Sequence, residues 1–294
     1  MINAEAIVKT DSVLGEGPLW HPVQQMLYWV DIEKKILHAF EPETNHHREW
    51  PVSKRLGTVA PASNGRLILG LQGEIAFFNV ATGSVESLVP VESGLRANRC
   101  NDGKCDPVGR FWVGTMQLQC EPAAGSLYCL DLNLQLHKVL SGLTIANGMD
   151  WSPDGSYMYF IDSATYCVKR YRCHHEHVSL ADEEIILRFD ADGGMPDGMC
   201  ADGEGMLWIA FWGGKRVGRY NPVTGHHLAD VVVPAPHVTS CCFGGRDLTT
   251  LYITTARDGL DQKQLEQYPL SGSLFACKAN VRGRQPGFFG IPAR

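Results

Sequence analysis

The 294-residue sequence has no long apolar run. No stretch approaches the roughly 20 apolar residues that a helix needs to cross a bilayer. The first residues, Met1 to Ala6, lack the basic start and apolar core of a secretory signal peptide. We therefore expect no membrane partner and a cytoplasmic location.

Clusters of basic residues are missing as well. The formal net charge is −6 and no run of lysine and arginine is present, so the sequence lacks the electrostatic footprint of a nucleic-acid-binding protein. We expect no nucleic-acid partner. Hydrophobic residues make up 44% of the chain, which is typical of an ordinary globular protein, and we expect a monomer or a weak homo-oligomer.

Several catalytic and metal-binding signatures are also absent. There is no G-x-S-x-G nucleophile elbow, no P-loop and no dinucleotide fingerprint, which disfavours acyl-enzyme chemistry and nucleotide cofactors. The ten cysteines form no C-x-x-C pair and are scattered, so we expect reduced structural thiols. Three stretches resemble metal tracts but adjoin hairpin turns, and we interpret them as solvated loops: Cys173–His177, His46–His47 and His226–His227.

What the sequence does contain is one pattern repeated six times. Each copy is a turn rich in Pro, Asp, Asn and Gly, followed at once by a short apolar or aromatic run. The copies align on residues 40 to 49 positions apart, a period typical of the four-stranded blades of a β-propeller. The aligned residues are Tyr28, Ile68, Trp112, Tyr159, Trp208 and Tyr252.

Further turns within the period predict hairpins. They occur at Phe40–Asn45, Phe78–Gly83 and Tyr220–Gly225, where proline, asparagine and glycine provide turn dihedrals. Helical periodicity is nearly absent, and the best stretch, Leu180–Leu187, is interpreted as a loop or strand edge. We predict an all-β chain: one domain, residues 1–294, forming a six-bladed β-propeller with four-stranded antiparallel blades around a central channel. A strand near Ala4–Lys9 is expected to pair with the last blade and close the ring.

The repeat register places polar residues at one level. Eleven or twelve positions before the aligned residue, five repeats have Glu16, Asn101, Asn147, Asp197 and Ser240, and the second repeat has Gly57 and Thr58 near the equivalent place. We expect these positions to precede the innermost strand of each blade and to ring one mouth of the channel.

Four of these polar residues are followed within two positions by glycine. Glycine permits a tight turn and a close approach to a ligand. A single Asn-Gly or Asp-Gly pair could instead be only a hairpin turn. Four such polar residues at the same position of the repeat favour a shared ligand site. Oxygen donors without sulfur suit a hard divalent cation, with Ca²⁺ favoured and Mg²⁺ or Mn²⁺ as alternatives, whereas Zn²⁺ usually recruits His or Cys.

These motifs resemble the SMP-30/gluconolactonase family, which includes regucalcin and bacterial sugar lactonases. The resemblance runs from residue 14 to beyond residue 245 and is specific as a combination. The matching motifs are Leu14-Gly-Glu-Gly-Pro-Leu-Trp20, Asn98-Arg-Cys-Asn-Asp-Gly-Lys-Cys-Asp-Pro-Val-Gly-Arg110, Phe111-Trp-Val-Gly-Thr-Met116, Ala146-Asn-Gly-Met149, Pro196-Asp-Gly-Met199 and Cys242-Phe-Gly-Gly245.

The resemblance implies a six-bladed propeller that hydrolyses a sugar-acid lactone. It implies one divalent ion held by Glu16, Asn147 and Asp197, with Asn101 reaching the ion directly or through the substrate. It also implies that Arg99 and Asn101 orient the substrate. For the chemistry, Asp197 is our choice as general base, with a water activated by the ion as the alternative, and Glu16 is expected to act as a ligand only.

One departure from the family concerns the substrate. Relatives that resemble regucalcin have acidic residues just after the Gly-Thr-Met element, where this chain has Gln117-Leu-Gln119. Without an acid at the substrate-facing Gln119, a lactone that itself bears a carboxylate would be better tolerated, and Arg99 presents a fork of donors suited to it. The alternative for Arg99 is a structural ion pair with Asp102.

Two other functions remain open from the sequence. The regucalcin resemblance permits a non-catalytic calcium-binding regulator, and similar propellers hydrolyse organophosphates. Turnover of a lactone, and its kcat/KM relative to that of an organophosphate, separates the three hypotheses.

Overall fold

Strands dominate the computed structural model, which describes residues 2–174 and 176–290. The one α-helix of the described residues is α1 (Gln262–Gln267), and 3₁₀ turns occur at Ser163–Thr165 and Ala191–Gly193. The strands, in chain order, are β1 (Ile2–Asn3), β2 (Glu5–Val8), β3 (Gly15–His21), β4 (Met26–Asp31), β5 (Ile36–Glu41), β6 (His46–Pro51), β7 (Leu56–Pro61), β8 (Leu67–Leu71), β9 (Glu74–Asn79), β10 (Ser84–Pro90), β11 (Asn98–Cys105), β12 (Phe111–Gln117), β13 (Gly125–Leu130), β14 (Leu136–Leu143), β15 (Ala146–Trp151), β16 (Tyr157–Asp162), β17 (Cys167–His174), β18 (Ser179–Arg188), β19 (Met195–Ala201), β20 (Leu207–Trp212), β21 (Arg216–Tyr220), β22 (His227–Val232), β23 (His237–Gly244), β24 (Thr250–Ala256) and β25 (Leu274–Lys278).

The strands form antiparallel sheets that follow the repeats. Four sheets have four strands each: β3–β6, β7–β10, β11–β14 and β15–β18. A nine-stranded sheet contains the last two repeats, joined at the pair Trp212–His237. The all-β class and the four-stranded sheets of a β-propeller are thus confirmed. The count of six blades stays a prediction, because the last two repeats share one sheet.

The N-terminal strands cover the edges of the nine-stranded sheet. Strand β2 pairs antiparallel with β25, with Glu5 opposite Ala276, as the sequence predicts for this segment. Strand β1 then pairs in parallel with β22, with Ile2 opposite Val231. The short strands β1 and β2 therefore pair with the backbone groups of β22 and β25 at the two edges of this sheet, so no long strand edge stays open there.

The first strand of each repeat lies at the centre of the molecule. These strands contact one another in cyclic order, β3 with β7, β7 with β11, β11 with β15, β15 with β19, β19 with β23, and β23 with β3. The second strands contain the six aligned residues, five of which are aromatic, and the hydrophobic core lies between neighbouring sheets. Tyr28, Trp112 and Trp208 are almost fully buried, since each second strand is covered on both faces.

A buried aspartate fixes the repeated turn in two of the repeats. Asp202 accepts hydrogen bonds from the backbone N–H groups of Glu204 and Met206 and from the indole N–H of Trp208. Asp106 does the same for the backbone of Arg110 and the indole of Trp112. The turn and the aromatic strand after it are therefore one hydrogen-bonded unit, which explains why they recur together in the sequence.

The remaining sequence predictions have mixed outcomes. The three predicted hairpins join β5 to β6, β9 to β10 and β21 to β22, and Leu180–Leu187 lies in the edge strand β18. The sequence analysis missed α1, although Asp261 and Gln264 form the capping box that starts it. Within the described residues, no helix has the length and hydropathy to cross a membrane.

The prediction of solvated loops is wrong for His46–His47 and correct in part for the other two tracts, because His226 and His177 are exposed residues outside the strands. His46 and His47 both belong to β6, and His227 begins β22. In the tract that starts at Cys173, His174 ends β17, while His175 lies outside the described residues. All ten cysteines are free thiols.

Candidate active site

A β-bulge interrupts the first strand of every repeat at the same level. The pairing of the first strand with the second shifts between Glu16 and Leu19, Leu56 and Thr58, Cys100 and Gly103, Ala146 and Met149, Pro196 and Met199, and Val238 and Ser240. Bulges re-aim side chains and are common beside active sites. The polar positions aligned in the sequence therefore coincide with the bulges.

This placement corrects one expectation. The aligned polar residues were expected to precede the innermost strands, but they lie inside them, near the strand starts. The physical reason is that a bulge provides the irregular backbone that we had assigned to a loop. The first strands that contain these residues contact one another in a closed cycle, so the residues lie at the centre of the molecule.

The glycines at this level serve close packing between strands. Gly103, Gly148 and Gly198 have no left-handed backbone angle, so the hairpin-turn alternative is wrong for them. A Cβ on Gly148 would lie 2.6 Å from the carbonyl oxygen of Asp197, and one on Gly198 would lie 2.1 Å from Oγ of Ser240. Neighbouring first strands thus approach each other, rather than a ligand, through these glycines.

Gly17 is different, because its φ of 53° lies in the left-handed region. Its backbone N–H donates to Oε2 of Glu16 at 2.8 Å. Glycine adopts this conformation without the steric cost that a Cβ imposes. The Glu-Gly sequence therefore fixes the carboxylate of Glu16 at the bulge.

Four oxygen-bearing side chains converge on the channel at the bulges. Glu16, Asn101, Asn147 and Asp197 are each buried. The amide nitrogen of Asn147 donates to Oγ of Ser163 at 3.0 Å, which leaves Oδ1 as the free end of the amide. Oδ1 of Asn147 and Oδ1 of Asp197 are both buried without a hydrogen-bond partner among the described residues. Such atoms are costly unless a ligand satisfies them.

The buried carboxyl groups of the site also favour a bound cation. The pKa of Glu16 is raised to about 8, mainly by burial and further by the negative charge of Asp102. The pKa of Asp197 is raised well above its usual range, mainly by burial and further by the negative charges of Glu16 and Asp102. Burial raises the pKa of Asp102 to about 6. Three buried carboxylates that repel one another are stabilised when a positive ion lies between them. The donor set therefore fits a hard divalent cation.

In the protein without a bound cation, we expect stability to fall as pH rises. A carboxyl group whose pKa is raised on folding contributes stability that is fully present below its unfolded-state pKa, and this is lost as pH rises through the folded-state pKa. For Glu16 that window runs from the ordinary 4.5 to about 8. Thermal melts of chelator-treated protein across the window test this. Glu16→Gln should reduce the slope of Tm against pH, and equal slopes would contradict the expectation.

Arg99 lies at the strand-start end of the channel and is positioned by its neighbours. Its Nη1 donates to Oδ1 of Asn101 at 2.5 Å and to the carbonyl oxygen of Cys100 at 3.1 Å. The amide nitrogen of Asn101 in turn donates to the carbonyl oxygen of Ala146 at 2.8 Å. The structural ion pair with Asp102 that the sequence left open is absent, since no carboxylate of the described residues lies within 4.0 Å of the Arg99 guanidinium.

Gln119 is exposed in the turn after β12. Its side-chain oxygen accepts a hydrogen bond from Gln117 at 2.8 Å. Since β12 pairs antiparallel with β11, with Met116 opposite Arg99, this turn lies at the same end of the channel as Arg99. The structure thus places Arg99 and Gln119 at one mouth, with no acidic side chain contributed by the Gln117–Gln119 segment.

A cavity of about 280 Å³ lies toward the other end of the channel. It is lined by Lys104, Asp150 and the segment Arg284–Gly287, and it reaches Asp102 near the bulges. Nζ of Lys104 lies 3.0 Å from Oδ2 of Asp150 and donates to the carbonyl oxygen of Met199. Arg99 does not line this cavity.

Comparison with known proteins identifies the family. The family model for the SMP-30/Gluconolactonase/LRE-like region matches residues 14–257. The chain belongs to this family. The resemblance drawn from the sequence motifs is therefore confirmed.

Individual relatives of this SMP-30/gluconolactonase family member match it along almost its full length. YvrE of Bacillus subtilis (strain 168), which has the name of a sugar lactone lactonase, is 37% identical over 284 residues, 96% of this chain and 97% of its own. Regucalcin of Oryctolagus cuniculus is 35% identical over 97% of each chain. The crystal structure of a calcium-binding protein, regucalcin, from Agrobacterium tumefaciens is 28% identical, covers 99% of this chain and 98% of its own, and superposes with a TM-score of 0.94.

Two contributors to the site of this family member were missed. The sequence analysis considered Asp102 only as a partner for Arg99, although its position next to Asn101 was a signal that its charge acts on the same site. Ser163, which orients Asn147, gave no signal, because it belongs to a 3₁₀ turn after the second strand of its repeat. Only the folded sheet brings it beside the bulge.

Proposed function

We propose that this chain hydrolyses a sugar-acid lactone with the help of one divalent cation at the bulges. The observation that supports this most strongly is the pair of buried oxygens without partners, on the amide of Asn147 and the carboxyl of Asp197, beside a second carboxyl group on Glu16. The name of the Bacillus subtilis relative as a sugar lactone lactonase supports the same class of reaction. The proposed substrates are lactones of aldonic, uronic or aldaric acids.

The proposed architecture is a single six-bladed ring. The first strands of all six repeats contact one another in a closed cycle. The nine-stranded sheet consists of two four-stranded arrays, β19–β22 and β23–β25 with β2, plus β1. Counting these arrays as two blades gives six, and residues 1–294 then form one domain around one channel.

We propose Glu16, Asn147 and Asp197 as the residues that hold the cation, with Asn101 next to them. When bound, a divalent cation polarises the lactone carbonyl and lowers the pKa of a neighbouring water. All proposed ligands are oxygens, which favours Ca²⁺, and the related calcium-binding regucalcin structure agrees. Mg²⁺, Mn²⁺ and Zn²⁺ are alternatives for the same donors.

The chain's own residues then move the proton and orient the substrate. In hydrolysis, the water oxygen bonds to the carbonyl carbon and the bond from that carbon to the ring oxygen breaks. The proton removed from the water passes to the ring oxygen, which leaves as a hydroxyl. We assign to Asp197 the removal of the proton from the attacking water, because its carboxylate lies at the bulge level where the carbonyl would bind.

Arg99 is expected to favour lactones that bear a carboxylate. Its buried guanidinium has no carboxylate within salt-bridge distance among the described residues, and the Gln117–Gln119 segment at the same end of the channel lacks an acid. We expect Arg99→Ala to lower kcat/KM for a urono- or aldarolactone by about 10- to 100-fold, the loss of a charged hydrogen bond. A neutral aldonolactone serves as the internal control and should lose less. A strong preference of the wild type for neutral lactones, together with no effect of Arg99→Ala, would remove this hypothesis.

The experiment that tests the proposed function is a substrate panel. The release of acid from aldono-, urono- and aldarolactones is measured against spontaneous ring opening, with an organophosphate as a further substrate. Rapid hydrolysis of one lactone supports the proposal and identifies the sugar. Calcium binding without turnover of any lactone would instead favour a regulatory protein, and a higher kcat/KM for the organophosphate would favour that third function.

A further inference from the structure

A second cluster of metal-ligand side chains lies in the first sheet, away from the channel. His38 belongs to β5, and His47 and Glu49 belong to β6. His38 pairs directly with Glu49, so these two side chains project from one face of the sheet. His47 is two residues before Glu49 and therefore shares that face.

The three donor atoms are spaced as a metal ion requires. Nδ1 of His38 lies 3.0 Å from Nε2 of His47 and 3.3 Å from Oε1 of Glu49, and Nε2 of His47 lies 3.7 Å from Oε1 of Glu49. In a tetrahedral Zn²⁺ site with bonds of about 2.0–2.1 Å, neighbouring ligands are about 3.3–3.4 Å apart. The observed separations bracket this value, so the three atoms form one face of a tetrahedron and leave its fourth corner open.

Stacking against a tryptophan holds both imidazole rings. The rings of Trp29 and His38 have centroids 4.7 Å apart and an angle of 6° between their planes. The ring of His47 lies 5.2 Å from that of Trp29 at 15°. Trp29 itself is 1% exposed. The two nitrogen donors are therefore pre-positioned, which reduces the ordering cost of binding an ion.

The cluster is buried on one side and open on the other. The side chain of His38 is 3% exposed, that of His47 is 24% exposed and that of Glu49 is 48% exposed. All three residues line a cavity of about 420 Å³. Lys34, which also lines that cavity, is paired with Asp11, so its charge is balanced. An ion can thus enter from solvent through the Glu49 side.

We propose that His38, His47 and Glu49 bind one divalent transition-metal ion, with Zn²⁺ the ion that this donor set fits best. Two imidazoles and one carboxylate with an open fourth position suit Zn²⁺, whereas the oxygen donors of the channel suit a harder ion. The site is independent of the proposed lactone hydrolysis. It ties β5 to β6, and its open position faces the cavity.

The test uses untagged, chelator-treated protein titrated with Co²⁺ and Zn²⁺. A Co²⁺ ion with tetrahedral, nitrogen-containing coordination absorbs visible light more strongly than one bound only by oxygens, so the visible spectrum reports this cluster and not the channel. Calorimetry with Zn²⁺ gives the stoichiometry and Kd. His47→Ala and Glu49→Gln remove one ligand each. His46→Ala is the matched control, since His46 precedes His47 in β6 and is not part of the cluster.

Wild type and His46→Ala should bind Co²⁺ with the intense spectrum, and Zn²⁺ should raise their Tm. His47→Ala and Glu49→Gln should weaken this binding by at least about 100-fold, because losing a ligand costs more than losing an outer partner. Zn²⁺ binding with the same Kd in wild type and His47→Ala, or a Co²⁺ spectrum that Glu16→Gln removes and His47→Ala leaves intact, would overturn the proposal and leave an ordinary hydrogen-bonded His–His–Glu group.

Discussion

Asp197→Asn is expected to lower the kcat of lactone hydrolysis by at least about 1000-fold, within the range attributed to a general base. Asparagine keeps the size of the side chain and an oxygen at the bulge, but it cannot accept a proton from water. Circular dichroism and Tm should remain close to those of the wild type, because the buried carboxyl of Asp197 has an oxygen without a partner and provides little stability to lose.

Two controls separate the base from the metal ligand. Asn147→Ala removes a proposed ligand that cannot act as a base, so its rate should recover at high cation concentration, whereas that of Asp197→Asn should not. Ser240→Ala changes the same level of the channel at a residue without a proposed role, and it should retain most of the activity. An Asp197→Asn variant with more than about a tenth of the wild-type kcat would place the base elsewhere, with the attacking water activated by the ion alone.

Asp202→Ala is expected to destabilise the fold by about 3 kcal/mol or more, the cost of breaking a buried charge pair. Asp202 is fully buried and accepts from the indole of Trp208 and from Nε of Arg219, in addition to two backbone N–H groups. Its loss leaves these donors unpaired beneath the aromatic strand. The free energy of unfolding in urea measures the effect.

Asp247 provides the matched control for that measurement. It lies in the equivalent turn of the last repeat and accepts from Thr249, but its side chain is 61% exposed. Asp247→Ala should therefore change the free energy of unfolding by less than about 1 kcal/mol. Equal losses for the two variants would show that the turn itself, and not the buried hydrogen-bond unit, determines the stability.

The repeated turn made the fold predictable from the sequence. In two of the repeats a turn aspartate is joined by a hydrogen bond to the aromatic residue six positions later, as in Asp202 and Trp208, so there the turn and the aromatic strand occur together. The N-terminal strand was predictable for a related reason, since an apolar segment without a partner of its own has to cover a sheet edge. The helix α1 could be found only from its capping box, because it is short and buries no side chain.

The level of the polar residues was predictable, but its structural cause was not. Counting back from the aromatic residues reaches Glu16, Asn147 and Asp197 because each repeat has its bulge at the same height. The sequence does not distinguish a bulge from a turn, since both accept Asn-Gly and Asp-Gly. The glycine at 148 is required by the carbonyl group of Asp197 on the next strand, a contact between residues far apart in sequence.

Contacts across strands also explain the misinterpreted histidines. His46 and His47 adjoin a turn with Pro, Thr and Asn, so local sequence predicted a loop. The partner that changes the interpretation is His38, eight and nine residues earlier, which only the pairing of β5 with β6 brings next to His47. In this chain, local turn chemistry predicts the repeats well and the groups that form between strands poorly.

The central claim is that one divalent cation, held by Glu16, Asn147 and Asp197, enables lactone hydrolysis. The most direct measurement is kcat on the best lactone of the panel for chelator-treated protein, before and after each cation is restored, with metal content measured on the same samples. His47→Ala is included so that an ion in the β5–β6 cluster is not counted. The account predicts that activity disappears with the metal and returns in both proteins when one ion per channel site is restored. Full activity in protein shown to be free of metal would contradict it.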